Sequence, residues 1–183
     1  MRIIAGIYRG RVLKSPANLK TRPTSDRLRE TLFNILHAKI TENTRFLDLC
    51  AGTGAVGIEA LSRGAGHATF VDVARKICGL IEENLDNLNI PEALTEVVCE
   101  KADKFLSKAQ RSFDIVYYDP PYQENYREVL RLLGESGSMV LAADGILIAE
   151  HSTKTMIPDE VGELRRWRVV RQGDSSLSFY ERR

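Results

Sequence analysis

Two segments of the chain carry residue types and spacings suited to chemistry. One is Phe113-Asp114-Ile115-Val116-Tyr117-Tyr118-Asp119-Pro120-Pro121-Tyr122, an apolar run that ends in Asp-Pro-Pro-Tyr. Consecutive prolines fix φ and remove two backbone donors, so the turn is stiff and its backbone offers carbonyl oxygens only. With the Asp119 carboxylate beside it, this corner suits a group rich in N–H donors, such as the exocyclic amine of a nucleic-acid base. That amine is a poor nucleophile because its lone pair is delocalised into the ring. If Asp119 and the Pro120 carbonyl accept its two hydrogens, with Pro121 stiffening the turn, the nitrogen becomes more pyramidal and its lone pair can face an electrophile. Tyr122 offers a face on which an extruded base stacks, a contact of roughly 1–3 kcal/mol. The plainer alternative is an ordinary Pro-Pro turn after a buried strand, with Tyr122 at its rim.

The other segment, residues 46–57, is Phe46-Leu47-Asp48-Leu49-Cys50-Ala51-Gly52-Thr53-Gly54-Ala55-Val56-Gly57. Glycines here let the backbone turn tightly and let a ligand reach main-chain N–H groups that a Cβ would block. Read literally, it contains GxGxxG, with Asp72 at the end of the next strand where a ribose-binding acid is expected. A nicotinamide dinucleotide is therefore one candidate ligand. Asp48, four residues before the first glycine, and the downstream Asp-Pro-Pro-Tyr favour S-adenosylmethionine instead. The sequence D-L-x-A-G-T-G resembles motif I of the Rossmann-like methyltransferases. That resemblance implies that Asp48 and the loop Ala51, Gly52, Thr53 and Gly54 hold the methionine end, that Asp72 takes both ribose hydroxyls, and that Asp103 accepts from the adenine amine. Each acid also has an ordinary alternative: Asp48 bonding loop amides, and Asp72 and Asp103 capping helices.

These residues must be positioned by alternating elements. Apolar runs over 45–49, 68–71, 97–99, 114–117 and 146–149 alternate with helical spacing over 56–62, 74–88, 103–109 and 126–133, the pattern of βαβ units around a parallel sheet. Runs at 167–172 and 177–180 flank Gly173-Asp174-Ser175-Ser176 and predict a closing antiparallel hairpin. The expected fold is thus α/β, a Rossmann-like class I methyltransferase fold with a mostly parallel seven-stranded sheet. The first thirteen residues alternate around Gly6 and Gly10, which predicts a β-hairpin-like arm. Leu28, Leu32, Ile35 and Leu36 then show helical spacing behind Thr24 or Ser25 as N-cap. We divide the chain into a basic arm, 1–23, and a methyltransferase domain, 24–183.

A length of 183 residues with 43% hydrophobic side chains suits one compact domain. No apolar run reaches the about 20 residues that span a bilayer, and no secretory leader is evident, so a cytoplasmic protein without membrane partners is expected. Cys50, Cys78 and Cys99 are odd in number, far apart and without a CxxC or a histidine cluster, so no disulfide framework or metal site is expected; we read all three as buried. The net charge of +1 conceals an asymmetry: residues 1–29 carry +7 and residues 165–183 carry +4, leaving the remainder at −10. Two basic ends forming one pole would suit a polyanion.

Asp-Pro-Pro-Tyr is shared by N6-adenine and N2-guanine methyltransferases. The segments Arg2-Ile3-Ile4-Ala5-Gly6-Ile7-Tyr8-Arg9-Gly10-Arg11 and Arg22-Pro23-Thr24-Ser25-Asp26-Arg27-Leu28-Arg29-Glu30-Thr31-Leu32-Phe33-Asn34-Ile35-Leu36 resemble the arm and lead-in helix of the bacterial 16S rRNA guanine-N2 methyltransferases, the RsmD family. The resemblance covers essentially the whole chain. It implies methylation of a guanine exposed in a loop of 16S rRNA within the small ribosomal subunit, by a monomer that needs no metal, with Arg2, Arg9, Arg11, Arg22 and Arg27 as RNA contacts. Aspartate at 72 is a mild departure, since many relatives place glutamate there. The other classes in view are an N6-adenine methyltransferase, an NAD-binding oxidoreductase and a non-catalytic ribosome-assembly module.

Overall fold

The computed structural model describes residues 1–16, 26–121 and 126–183. Five parallel strands, β1 (Arg45–Leu49), β2 (His67–Asp72), β3 (Thr95–Cys99), β4 (Phe113–Tyr118) and β5 (Leu141–Ser152), lie at one end of the sheet. The antiparallel strands β6 (Glu160–Val161), β7 (Leu164–Gln172) and β8 (Ser175–Arg182) extend it, giving the order β3-β2-β1-β4-β5-β8-β7-β6. The expected parallel sheet and closing hairpin are both present. β6 adds an eighth strand to the seven expected, because a two-residue strand has no alternation to read. Only Gly173 and Asp174 form the hairpin turn, Ser175 and Ser176 already being paired in β8.

The strands are apolar because both faces are covered. On one face, α1 (Asp26–Leu36), α2 (Ala55–Ser62) and α3 (Arg75–Asn87) pack with Ile3 and Leu13 of the arm against Phe46, Phe70, Ile115, Tyr117, Ile148 and Phe179. On the other, α4 (Ala102–Lys108) and α5 (Tyr126–Gly134) cover Leu47, Leu49, Val71, Val116, Tyr118, Leu147 and Tyr180. Alternate residues of one strand thus enter opposite layers. Among the described residues, no helix is long and apolar enough to cross a membrane.

The arm makes one antiparallel bridge, Arg2 to Val12, with Ile3 and Leu13 amides donating to the Arg11 and Met1 carbonyls at 2.9 Å. It docks on α2 and α3 instead of joining the sheet. Glu59 of α2 accepts from the Ile4 and Ala5 amides at 2.8 and 3.0 Å, and Ser62 Oγ accepts from the Tyr8 amide at 3.0 Å. Gly6 passes so close that a Cβ there would lie 1.7 Å from the Ser62 carbonyl oxygen.

Two expectations are corrected. The cysteines are not uniformly buried: Cys78 is, Cys50 is half-buried, and Cys99 at the end of edge strand β3 is exposed. Among the described residues, the two basic ends do not form one pole. The arm lies on the helices over β1 to β3, while Arg165, Arg168 and Arg171 are on β7, five strand spacings of about 4.8 Å from β2. Arg166, Arg182 and Arg183 are paired locally with Asp159, Glu163 and Glu160.

Candidate active site

The carboxyl ends of β1, β2, β4 and β5 open on a cleft of about 1140 Å³, larger than the roughly 300–1,000 Å³ of a typical single-ligand pocket. Asp48, Ala51, Gly52, Thr53, Asp72, Asp103, Asp119, Pro120 and Pro121 all line it. Gly54 starts α2 with φ +76°. Tyr122 and Arg22 lie outside the described residues, as do Thr24 and Ser25.

β1 leaves the sheet through Cys50, whose φ of 61° places a non-glycine residue in the left-handed region. That turn sends Ala51 to Gly54 across the end of β2, with the Ala51 amide donating to the Val71 carbonyl at 3.0 Å. Asp48 Oδ2 accepts from the Gly57 amide at 2.9 Å, tying strand to helix. A Cβ on Gly57 would lie 2.3 Å from the Phe70 ring, so only glycine lets α2 pack this closely on β2. Burial pushes the Asp48 carboxyl up to about 8, partly opposed by the Gly57 donor and reinforced by Asp72. Asp72 is bonded on both oxygens, by the Gly52 amide at 3.1 Å and the Ala74 amide at 3.0 Å. In α4, Asp103 occupies the first turn, half-buried at the cleft wall.

Asp119 follows β4, its amide donating to the Leu49 carbonyl at 3.3 Å, which brings the Asp-Pro-Pro corner beside the glycine loop. Burial, then the charges of Glu150 and Asp48, raise its carboxyl well above the ordinary range. These three acids therefore crowd one end of the cleft.

Several lining residues were not singled out from the sequence. Glu150 lies near the carboxyl end of β5, and its Oε2 accepts a hydrogen bond from Tyr117 Oη. The next residue, His151, contacts Ser178 Oγ through Nε2 at 2.9 Å; burial holds its imidazole below the ordinary value. Arg29 of α1 is fully buried at the cleft wall, with Nη2 donating to the Arg2 carbonyl at 2.6 Å and to Asp26 at 3.0 Å, and Nε 3.8 Å from Glu59. Desolvation pulls Arg29 down from its ordinary value, opposed by Glu59 and Asp26. Asn84 joins arm to loop: its Nδ2 donates to the Lys14 and Thr53 carbonyls at 3.1 Å each, and its Oδ1 accepts from the Lys14 amide at 2.8 Å. The sequence held signals for some of these. Glu59 is the lone acid of an otherwise apolar helix, Arg29 falls on the apolar stripe with Leu32 and Phe33, and Glu150 follows the apolar run 146–149, at the end of a strand where ligand crevices form.

Of the expected RNA contacts, Arg9 and Arg27 are exposed. Arg2 is also exposed, with Nε 3.6 Å from Asp26, and Arg11 donates to the Asn87 carbonyl at 2.9 Å. Among the described residues, no cluster of three or more His, Cys, Asp or Glu is arranged to hold a metal.

The family model described as conserved hypothetical protein 95 matches residues 1–181. Among the relatives that bear the name ribosomal RNA small subunit methyltransferase D are the following two. One, from Haemophilus influenzae, is 39% identical over 98% of this chain and 91% of its own length. The other, from Escherichia coli strain K12, is 35% identical over 100% and 90%. The solved structure of yhhF from Escherichia coli superposes with a TM-score of 0.84 at 34% identity, covering 100% of this chain and 97% of that one.

Proposed function

The chain belongs to the family described as conserved hypothetical protein 95, the RsmD family, and from that premise we propose that it moves a methyl group from S-adenosylmethionine to the exocyclic N2 amine of a guanine in 16S rRNA. One observation carries the reading: the glycine loop with its acids and the Asp119-Pro120 corner line the same cleft.

The residues present fit the cofactor. Asp48 is a buried carboxyl held back from ionising, and a cationic ligand nearby supplies the charge that burial withholds. S-adenosylmethionine carries both an ammonium and a sulfonium, and its ammonium, a donor, matches the Asp48 carboxylate. Asp72 accepts from the ribose hydroxyls; the acceptor of the adenine amine is Asp103. The cofactor supplies an activated methyl, so neither metal nor cysteine nucleophile is required.

At the acceptor corner, Asp119 and the Pro120 carbonyl grip the amine hydrogens, turning its lone pair toward the donor end of the cleft. Asp119 takes the proton the nitrogen sheds, and its raised affinity for protons suits that task. Tyr122 stacks on the base. Arg2, Arg9, Arg11, Arg22 and Arg27 meet RNA phosphates, and the arm 1–23 serves as an RNA-contacting unit on the domain 24–183.

The deciding experiment supplies the protein and labelled cofactor with small subunits lacking the modification, naked rRNA and DNA, and identifies the product nucleoside chromatographically. N2-methylguanosine in 16S rRNA is expected. N6-methyladenosine, or no transfer to small-subunit RNA, refutes the assignment.

A further inference from the structure

Glu150 stands beside the acceptor corner for a structural reason. Ala149 of β5 is the register partner of Tyr118 in β4, so the next residues along the two parallel strands, Glu150 and Asp119, end up as neighbours at the cleft. Glu150 is only 7% exposed and firmly held. Tyr117 Oη donates to its carboxylate, Tyr126 Oη donates to its backbone carbonyl at 3.0 Å, and His151 is bonded across to β8. Placing a second acid so close to Asp119 is unfavourable, since its charge helps hold the Asp119 proton on. A carboxylate has about four lone-pair sites, so one fixed at a ligand cleft can take a donor from the ligand besides the one Tyr117 supplies.

Guanine brings such a donor. Its Watson–Crick edge places N1–H directly beside the N2 amine, so two adjacent carboxylates face two adjacent donors. Adenine places an acceptor, N1, beside its N6 amine. A carboxylate opposite that atom sets acceptor against acceptor.

Resting on the guanine-N2 reading above, we propose that Glu150, clamped by Tyr117, accepts a hydrogen bond from the target guanine's N1–H and so selects guanine over adenine while Asp119 grips the amine. The Asp-Pro-Pro-Tyr corner is common to enzymes acting on either base; the acid on the neighbouring strand supplies the discrimination.

Small-subunit rRNA carrying guanosine, 2-aminopurine riboside or adenosine at the target position, assembled into subunits, tests this with the intact protein. 2-Aminopurine keeps the 2-amine but presents N1 as an acceptor. Wild-type kcat/KM is expected to fall about 10- to 100-fold from guanosine to 2-aminopurine, the worth of a hydrogen bond to a charged group. Glu150→Gln, whose carboxamide can donate to an acceptor N1, is expected to lose activity on guanosine and to narrow or invert that ratio; Tyr117→Phe, which loosens the clamp, narrows it less. A wild-type ratio near one overturns the proposal whether or not the variants fold. So does a Glu150→Gln protein that keeps the wild-type ratio. If the wild type methylates adenosine and leaves guanosine untouched, the guanine-N2 reading fails with it, which the first two outcomes do not imply.

Discussion

Replacing Glu59 by alanine should detach the arm and destabilise the whole domain. This carboxylate is fully buried and accepts from the Ile4 amide at 2.8 Å, the Ala5 amide at 3.0 Å and Arg63 Nε at 2.8 Å, with Arg29 Nε 3.8 Å away. Hydrogen bonds to a charged acceptor contribute about 1.5–3 kcal/mol each, and removing one member of a buried pair costs about 3–5 kcal/mol because the other charge is stranded. Arg29 keeps Asp26 at 3.0 Å, which places the expected loss at about 4 kcal/mol. For a domain of this size that is a fall in Tm of about 8–16 °C. Urea unfolding gives the free energy, and amide exchange at Ile4 and Ala5 shows whether the arm has come away. Glu59→Gln keeps an acceptor oxygen and should lose less. A loss below about 1 kcal/mol with both amides still protected would show that the arm is held by its apolar packing and that the Glu59 hub is incidental.

Asp119→Asn should abolish methyl transfer while leaving S-adenosylhomocysteine affinity by calorimetry within about threefold; retained turnover would refute the acceptor assignment. Because the Asp119 carboxyl must be ionised to accept, and burial with Glu150 and Asp48 raises its proton affinity, wild-type transfer should climb with pH above the ordinary carboxylate range; an acid limb at an ordinary carboxylate position would contradict this. Asp48 titrates near 8 folded against 3.8 ordinarily, so the unfolded chain sheds that proton first and folded stability falls as pH rises between those values. Asp48→Asn should remove that slope, and unfolding curves at pH 5, 6, 7 and 8 (about one-unit steps across the window) should diverge from wild type steadily; a constant offset would be the contrary result. Removing Arg9 and Arg11 together should weaken RNA binding and flatten its salt dependence by roughly 0.7–0.9 log units for each phosphate no longer neutralised, and an unchanged slope would move the RNA surface elsewhere.

Alternating apolar runs and the glycine loop made the parallel sheet and the cleft-lining acids legible, because strand periodicity and tight-turn chemistry are local properties of the chain. Less legible were features created by neighbours distant in sequence. Asp48 shows its task only once Gly57 lies opposite it, and Glu150 gains meaning from strand register, which sets it beside Asp119. Arg29 and Glu59 come from helices separated by a strand and meet under the arm. β6 escaped notice because two residues carry no pattern. Net charge misled about the basic ends, since composition along a chain holds no information on which edges of a sheet they reach.

Asn84 has one further consequence. A single carboxamide on α3 holds the arm at Lys14 and the glycine loop at Thr53. If the proposed ligands occupy the loop and the arm, a shift of either segment acts on the same carboxamide, and any coupling between the two is by reciprocity equal in both directions. A lesion at this one codon would then disturb the seating of loop and arm together.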